Sequence, residues 1–284
     1  MEYEQACLAA VPNVDVSKAQ ATFLSTVVTK FTPEAFHTLR RYLGTSDVKS
    51  VTNLLLRAQR FTDAGAATAL RALKESDSRE KQGILAEASR VFGLGKETAL
   101  YKSCTDDYLE LLKDQEVLRT KYSSADVAPE GSSVAKTIAS IIHFSALNAR
   151  EQHRLLGDVD KLAKKFRVSE KRLWHIKVKA FADSGQWSNL RMLSESKTKS
   201  PIGYKPFARA AIQGKQTAND IIRYIDRVTV PEERYDLFCE ALMWKNALEE
   251  AGKLRDGNRI LNVKQLCNSL EIQMQADQML GRLA

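Results

Sequence analysis

The chain has 284 residues, 44% of them hydrophobic, and a formal net charge of +8. Only 13 glycines and 6 prolines are present. Because a sheet protein needs frequent turns, this scarcity disfavours β folds and favours helices joined by short loops. No apolar run approaches the ~20 residues that span a bilayer, and the acidic N-terminus is unlike a secretory signal. The sequence therefore predicts a soluble intracellular protein of one large or two ordinary domains.

Helical periodicity runs through almost the whole chain. A Thr-Pro-Glu start and a terminal glycine predict a helix over residues 32–44. Asp77 and Glu80 form a capping-box pattern that opens a further helix. Apolar residues at three- and four-residue steps then predict one long helix over residues 97–122, whose apolar stripe is interrupted only at Gln115.

Residues 123–133 (SSADVAPEGSS) are the most polar stretch of the chain, and we expect a flexible loop there. This loop divides the chain into an N-terminal helical segment, residues 1–122, and a C-terminal helical segment, residues 134–284. In the C-terminal segment the pattern predicts short helices at 134–147, 150–165, 169–183, 187–195, 202–213, 217–226, 231–240, 241–252 and from about 258.

A weak internal repeat supports stacked helices. Residues 185–196 and 242–253 share a tryptophan, Trp187 or Trp244, then an asparagine two residues later and apolar residues at helical spacing. Residues 60–71 form a looser third copy. A helix pair that cannot bury its apolar face alone must stack on its neighbours. The fold class predicted is therefore all-α, an α-solenoid of stacked antiparallel helix pairs, with the tryptophans as packing anchors.

No pattern in the sequence indicates catalysis. Residues 92–98 superficially suggest a phosphate loop, but Arg90 and Glu97 stand where that motif needs a glycine and a Ser or Thr. Asp106 and Asp107 are adjacent on a helix and so point about 100° apart. The four cysteines and four histidines show no metal-ligand spacing. We expect a protein that is not an enzyme and uses neither metal nor cofactor.

Positive charge is concentrated in one zone. Residues Arg150 to Arg209 contain fifteen Lys or Arg and six Asp or Glu, a net of +9, so the rest of the chain sums to −1. Such a zone attracts an acidic protein, an anionic membrane or nucleic acid. A solvated lysine-rich face is the simpler alternative. Aromatic residues in the zone follow helical spacing, which favours a place in the core over stacking on bases.

Residues 196–207 (SKTKSPIGYKPF) could be a phosphate loop, a peptide-recognition loop or a stiff turn. Ser200 can cap the next helix, Pro201 fixes φ, and Gly203 allows close approach of the backbone. Tyr204 and Phe207 are three residues apart and share a helix face. These features predict a stiff connector between repeats and no binding site.

Residues 161–207 combine several uncommon residues at fixed spacing; they are Phe166, Val168, Lys171, Arg172, Trp174, Trp187, Ser196, Lys199, Ser200, Pro201, Ile202, Gly203, Tyr204, Pro206 and Phe207. In this pattern the segment resembles the C-terminal domain family of vacuolar protein sorting-associated protein 16, whose domain the spermatogenesis-defective protein 39 homologues share. Leu173, His175 and Gln186 depart from the family pattern, which usually has an aromatic, often a second tryptophan, and commonly an aspartate there.

The resemblance implies an α-solenoid scaffold in the HOPS and CORVET tethering complexes. There it would bind a Sec/Munc-type SNARE chaperone, vacuolar protein sorting-associated protein 33, and through it act with SNAREs in membrane fusion and protein transport. It would be cytoplasmic and peripheral on late endosomes, lysosomes or vacuoles. The alternative that the basic zone leaves open is an α-solenoid that binds nucleic acid or anionic membrane directly.

The family and the local basic excess lead us to expect the partner on the helices around residues 134–180. The apolar contacts expected are Ile138, Ile141 and Ile142, for which packing in the core is the alternative. The charged contacts expected are Lys171, Arg172 and Lys179, for which a solvated face is the alternative.

Overall fold

A computed structural model describes residues 48–196 and 198–283, and within these ranges the chain contains α-helices, one 3-10 turn and no strand. The prediction of an all-α protein is confirmed. The helix predicted over residues 32–44 lies outside the described residues.

The chain divides into two compact units, the first ending at Asp114 and the second beginning at Gln115. The described helices begin with α1 (Val48–Arg57), α2 (Phe61–Lys74), α3 (Ser78–Phe92) and α4 (Ala99–Tyr122). They continue with α5 (Val134–Leu147), α6 (Gln152–Lys165), α7 (Glu170–Asp183), α8 (Trp187–Ser194), α9 (Lys205–Gln213), α10 (Ala218–Ile225), α11 (Pro231–Glu240), α12 (Trp244–Leu254), α13 (Gly257–Leu266) and α14 (Leu270–Leu283).

Helices that pack closely are neighbours in sequence or are separated by a single helix. For example, α5 packs against both α6 and α7, and α9 packs against α7, α10 and α11. Short connections between helices favour this arrangement of adjacent pairs. Packing confined to near neighbours is the organisation of an α-solenoid, as the weak repeat predicted.

The second unit is held by one continuous apolar core that runs from Leu118 to Ala276. Its largest fully buried side chains include Phe207, Leu155 and the isoleucines of α5. Trp187 packs against this core, and Gly214 leaves room for it, because a Cβ there would lie 2.2 Å from the indole ring. Trp187 therefore anchors the start of α8 against the end of α9.

The three repeat copies share one backbone geometry at the entry to their helices. A residue with positive φ, at Gln59, Gly185 or Leu242, is followed by a residue with ψ between 58° and 68° and then by an aromatic that begins the helix. In each copy a backbone N–H bonds the carbonyl five residues earlier, which satisfies the end of the preceding helix.

Gln115 is fully buried although it lies on the apolar stripe of α4. Its Nε2 donates to the Ser132 carbonyl at 2.8 Å and to Thr137 Oγ1 at 2.8 Å, and its Oε1 accepts from the Gly131 N–H at 3.0 Å. Val127, in the same loop, is also fully buried. The loop at residues 123–133 is therefore tied to α4 and α5 by a buried amide.

Candidate partner-binding face

Helix α7 separates its apolar and basic residues onto two faces. Trp174, Val178 and Phe181 recur at steps of four and three residues and are buried in the core. Lys171, Arg172, His175 and Lys179 lie on the exposed face; we call these four residues the basic face. The amphipathic spacing of α7 thus directs several basic side chains to the same side of the protein.

Helix α5 lies beneath this face and carries the three isoleucines that were expected to touch a partner. Ile138, Ile141 and Ile142 are all 0% exposed, because α5 packs against both α6 and α7. The structure thus gives these side chains a packing role that holds α6 and α7 in place. A direct contact between them and a partner stays a prediction.

The basic face carries positive charge that no described carboxylate neutralises. Among the described residues, Lys171, Arg172 and Lys179 form no ion pair, whereas Lys177 on the same helix bonds Asp160 of α6 at 2.7 Å. Cations without a carboxylate neighbour favour an acidic partner surface because binding would supply the missing countercharge. The surface of α6 extends this charge with the exposed side chains of Arg154 and Lys164.

A charged cluster fixes α6 against the end of α4. Asp158, whose side chain is 11% exposed, accepts hydrogen bonds from Lys121 Nζ and from Tyr122 Oη at 2.8 Å. Burial alone would raise the pKa of Asp158, but the hydrogen bonds from Lys121 and Tyr122 hold it below its ordinary value. The hydrogen bond with Asp158 in turn raises the pKa of Lys121.

Gln186 joins the ends of three helices at a position where the family commonly has an aspartate. Its Nε2 donates to the Ile142 carbonyl of α5 at 2.7 Å, and its Oε1 accepts from Gln152 of α6 at 3.0 Å and from Asn189 of α8 at 2.7 Å. An aspartate could accept but could not donate to the carbonyl. This network could not be predicted from local sequence pattern, because its members are up to 44 residues apart.

Residues 48–196 and 198–283 contain neither a membrane-spanning helix nor a cluster of metal-ligating side chains. None of the described helices is both long and apolar enough to cross a membrane. In the same ranges no three His, Cys, Asp or Glu side chains come together as metal ligands.

Stacked helix pairs with an exposed basic face define a helical-repeat protein of the α-solenoid class. Residues 17–281 match the family described as "Vps16, C-terminal region". The chain belongs to this family, which confirms the resemblance seen in residues 161–207.

Curated relatives agree with this assignment. The vacuolar protein sorting-associated protein 16 homolog of Drosophila melanogaster is 26% identical over 170 residues, which cover 60% of this chain and 18% of that protein. The Dictyostelium discoideum homolog is 26% identical over 178 residues, covering 63% and 20%. Vacuolar protein sorting-associated protein 16 of Saccharomyces cerevisiae is 30% identical over 100 residues, covering 34% and 12%. The matches therefore span a fifth or less of each relative's length.

Proposed function

We propose that this chain is a scaffold subunit of a HOPS/CORVET-type tethering complex that binds a Sec/Munc-type SNARE chaperone, vacuolar protein sorting-associated protein 33. The observation that carries the proposal is the family match over residues 17–281. The names of the matched relatives refer to vacuolar protein sorting. The proposal gives the chain a binding role in the fusion of endosomes with lysosomes or vacuoles and no catalytic step.

The docking surface we propose is the basic face of α7. Lys171, Arg172 and Lys179 are exposed and without ion pairs in the described part of the chain. The buried isoleucines of α5 support α7 from behind, so its side chains are presented on a firmly packed helix. A surface held in one conformation loses little entropy on binding. The partner surface that fits it is acidic.

Titration of the purified chain with the purified Sec/Munc protein of the same source tests the docking surface. Because arginines near the centre of an interface contribute about 2 kcal/mol or more, Arg172→Glu should weaken binding about thirtyfold or more, measured by isothermal titration calorimetry. Lys245→Glu is the matched control, since Lys245 is exposed on α12 and forms no ion pair with any described residue. Unimpaired binding of Arg172→Glu, with both variants folded by circular dichroism, would count against this placement.

Affinity capture from a cell extract, followed by mass spectrometry, tests the complex itself. Recovery of a Sec/Munc protein together with other tethering subunits is the expected result. The competing function is direct binding to nucleic acid or anionic membrane, which the unpaired cations of α7 also favour. It predicts salt-sensitive retention on heparin or on phosphoinositide vesicles with no protein partner recovered.

A further inference from the structure

A groove of about 550 Å³ lies where the turn after α8 meets the connection between α10 and α11. Its volume is within the range of about 300–1,000 Å³ that is usual for binding clefts. One wall is the segment that the sequence predicted to be only a stiff connector. That wall is ordered by its own turn, in which Ser200 Oγ donates to the Gly203 carbonyl at 2.8 Å and Gly203 has a φ of +68°.

The groove is lined by more positive than negative charge. Four cations, Lys199, Lys205, Arg209 and Arg227, face a single lining carboxylate, Glu233. Lys205 forms a salt bridge with Glu233 at 2.9 Å. Arg209 forms a bidentate salt bridge with Glu240, which does not line the groove.

Two of these cations form no ion pair with a described residue. Within the described ranges, Lys199 and Arg227 have no carboxylate partner. The groove thus offers two free positive charges to an anionic ligand.

Arg227 is held in place by a cation–π contact with the ring of Tyr204 and by a hydrogen bond to the backbone. Its guanidinium lies 5.3 Å from the centre of the Tyr204 ring, and its Nη1 donates to the Ser194 carbonyl at 2.8 Å. The Tyr204 ring packs in turn on Phe207, which is 0% exposed. A cation held on a ring that is itself anchored in the core is already placed for a ligand, so binding requires little rearrangement.

Apolar side chains complete the lining. Ile202, Pro206 and Val228 lie among the cations. A single phosphate would use the charges and leave this apolar surface bare. In an extended peptide, successive side chains point in opposite directions, so acidic and apolar residues in alternation can meet both kinds of lining.

We infer that this groove binds an extended acidic segment of a partner protein. The site is built by the turn after α8, by α9, by the connection between α10 and α11 and by Glu233 of α11, and it does not use the basic face of α7. It is therefore a second interaction surface, and it stands independently of the function proposed above.

Fluorescence anisotropy of the full chain with two labelled peptides tests this inference. In the first peptide, about ten residues long, glutamate alternates with valine or proline; in the second, glutamine replaces every glutamate. The acidic peptide should bind and the glutamine peptide should not. Lys199→Glu and Thr229→Glu each place a negative charge on the lining. Lys199→Glu should weaken binding about five- to tenfold, because an exposed ion pair is lost and repulsion is added, whereas Thr229→Glu should weaken it about two- to fivefold through repulsion alone.

A control variant separates the groove from general attraction to a basic protein. Lys245→Glu changes the net charge as much as Lys199→Glu does but lies on α12, outside both proposed binding surfaces, so it should bind the acidic peptide as the unaltered chain does. Weakening in this control equal to that of Lys199→Glu overturns the inference, as does failure of the acidic peptide to bind. Lys199-dependent binding to phosphatidylcholine vesicles with a doubly phosphorylated phosphoinositide, without peptide binding, would assign the groove to a lipid headgroup and also overturn it.

Discussion

Replacing Gln115 with leucine tests whether a buried amide holds the loop at residues 123–133. Leucine is close in size to glutamine but can neither donate nor accept a hydrogen bond. The substitution removes the bonds to the Ser132 carbonyl and hydroxyl, to Thr137 Oγ1 and from the Gly131 N–H. The partners of Gln115 then lack these hydrogen bonds, and some of them are buried where water cannot replace the lost amide.

The magnitude follows from counting these interactions. The amide NH2 has two hydrogens for its three acceptors, so the bonds amount to about three full ones, or about 3 kcal/mol, and the more apolar leucine regains about 1 kcal/mol through burial. The free energy of unfolding should therefore fall by about 2 kcal/mol. In a unit the size of the second one, this corresponds to a decrease in Tm of roughly 4–8 °C.

Thermal and urea unfolding followed by circular dichroism measure both quantities. Gln265→Leu is the control, since Gln265 is exposed on α13 and no described group bonds its side chain; its effect should stay within about 0.5 kcal/mol. If Gln115→Leu destabilised the chain no more than this control, the buried amide would not be what fixes the loop.

Two further predictions concern pH and backbone conformation. Since the pKa of Asp158 is lowered from 3.8 in the folded chain, its contribution to stability is present above that pH and lost as the pH falls through the folded value. Asp158→Asn should therefore cost about 1–2 kcal/mol at pH 7 and progressively less below pH 3.8; an unchanged difference at pH 3 in urea titrations would contradict this. Lys215 has a φ of 50°, so Lys215→Gly should stabilise the chain by about 0.5–1 kcal/mol, whereas Lys215→Ala, which keeps the strain, should not.

Helix positions were largely predictable because they depend on local pattern. The helices predicted at residues 134–147 and 231–240 match α5 and α11 end to end. The cap expected from Asp77 is present, with its side chain accepting from the Glu80 N–H. The main difference lies at the C-terminal end. One helical stretch was expected from about residue 258, but the chain forms two helices, α13 and α14, separated at residues 267–269, where the backbone of Cys267 is extended.

The ends of helices were harder to predict because most turns of this kind contain glycine. Several helices here end on a non-glycine residue with positive φ; the positions are Gln59, Ser123, Arg167, Lys215, Leu242 and Arg255. Gln115 was equally hidden, since a polar residue on an apolar stripe suggests a break in packing. The tertiary structure is needed to show that the Gln115 side chain is buried and hydrogen-bonded, because its partners Ser132 and Thr137 come from the following loop and helix.

At the candidate site, the sequence identified which side chains are charged and which are apolar. It could not show whether an apolar side chain contacts a partner or lies in the core. Spacing alone put Ile138, Ile141 and Ile142 on a helix, and burial by two flanking helices is a tertiary property. The groove beside Tyr204 depends on Arg227, which lies beyond both α9 and α10 in the sequence. Because the groove is formed by segments that are distant in sequence, no local sequence pattern predicts it.

Packing restricted to near neighbours also bears on how this chain folds. Contacts that join residues close in sequence give a low contact order, so little loop-closure entropy is lost before each contact forms. Each helix of the second unit can therefore add to its predecessor as a small step. The same property limits how far a local disturbance extends. Among the described helices α14 packs closely on α12 and α13 and not on α5, α6 or α7, so loosening α14 should leave those three helices largely undisturbed.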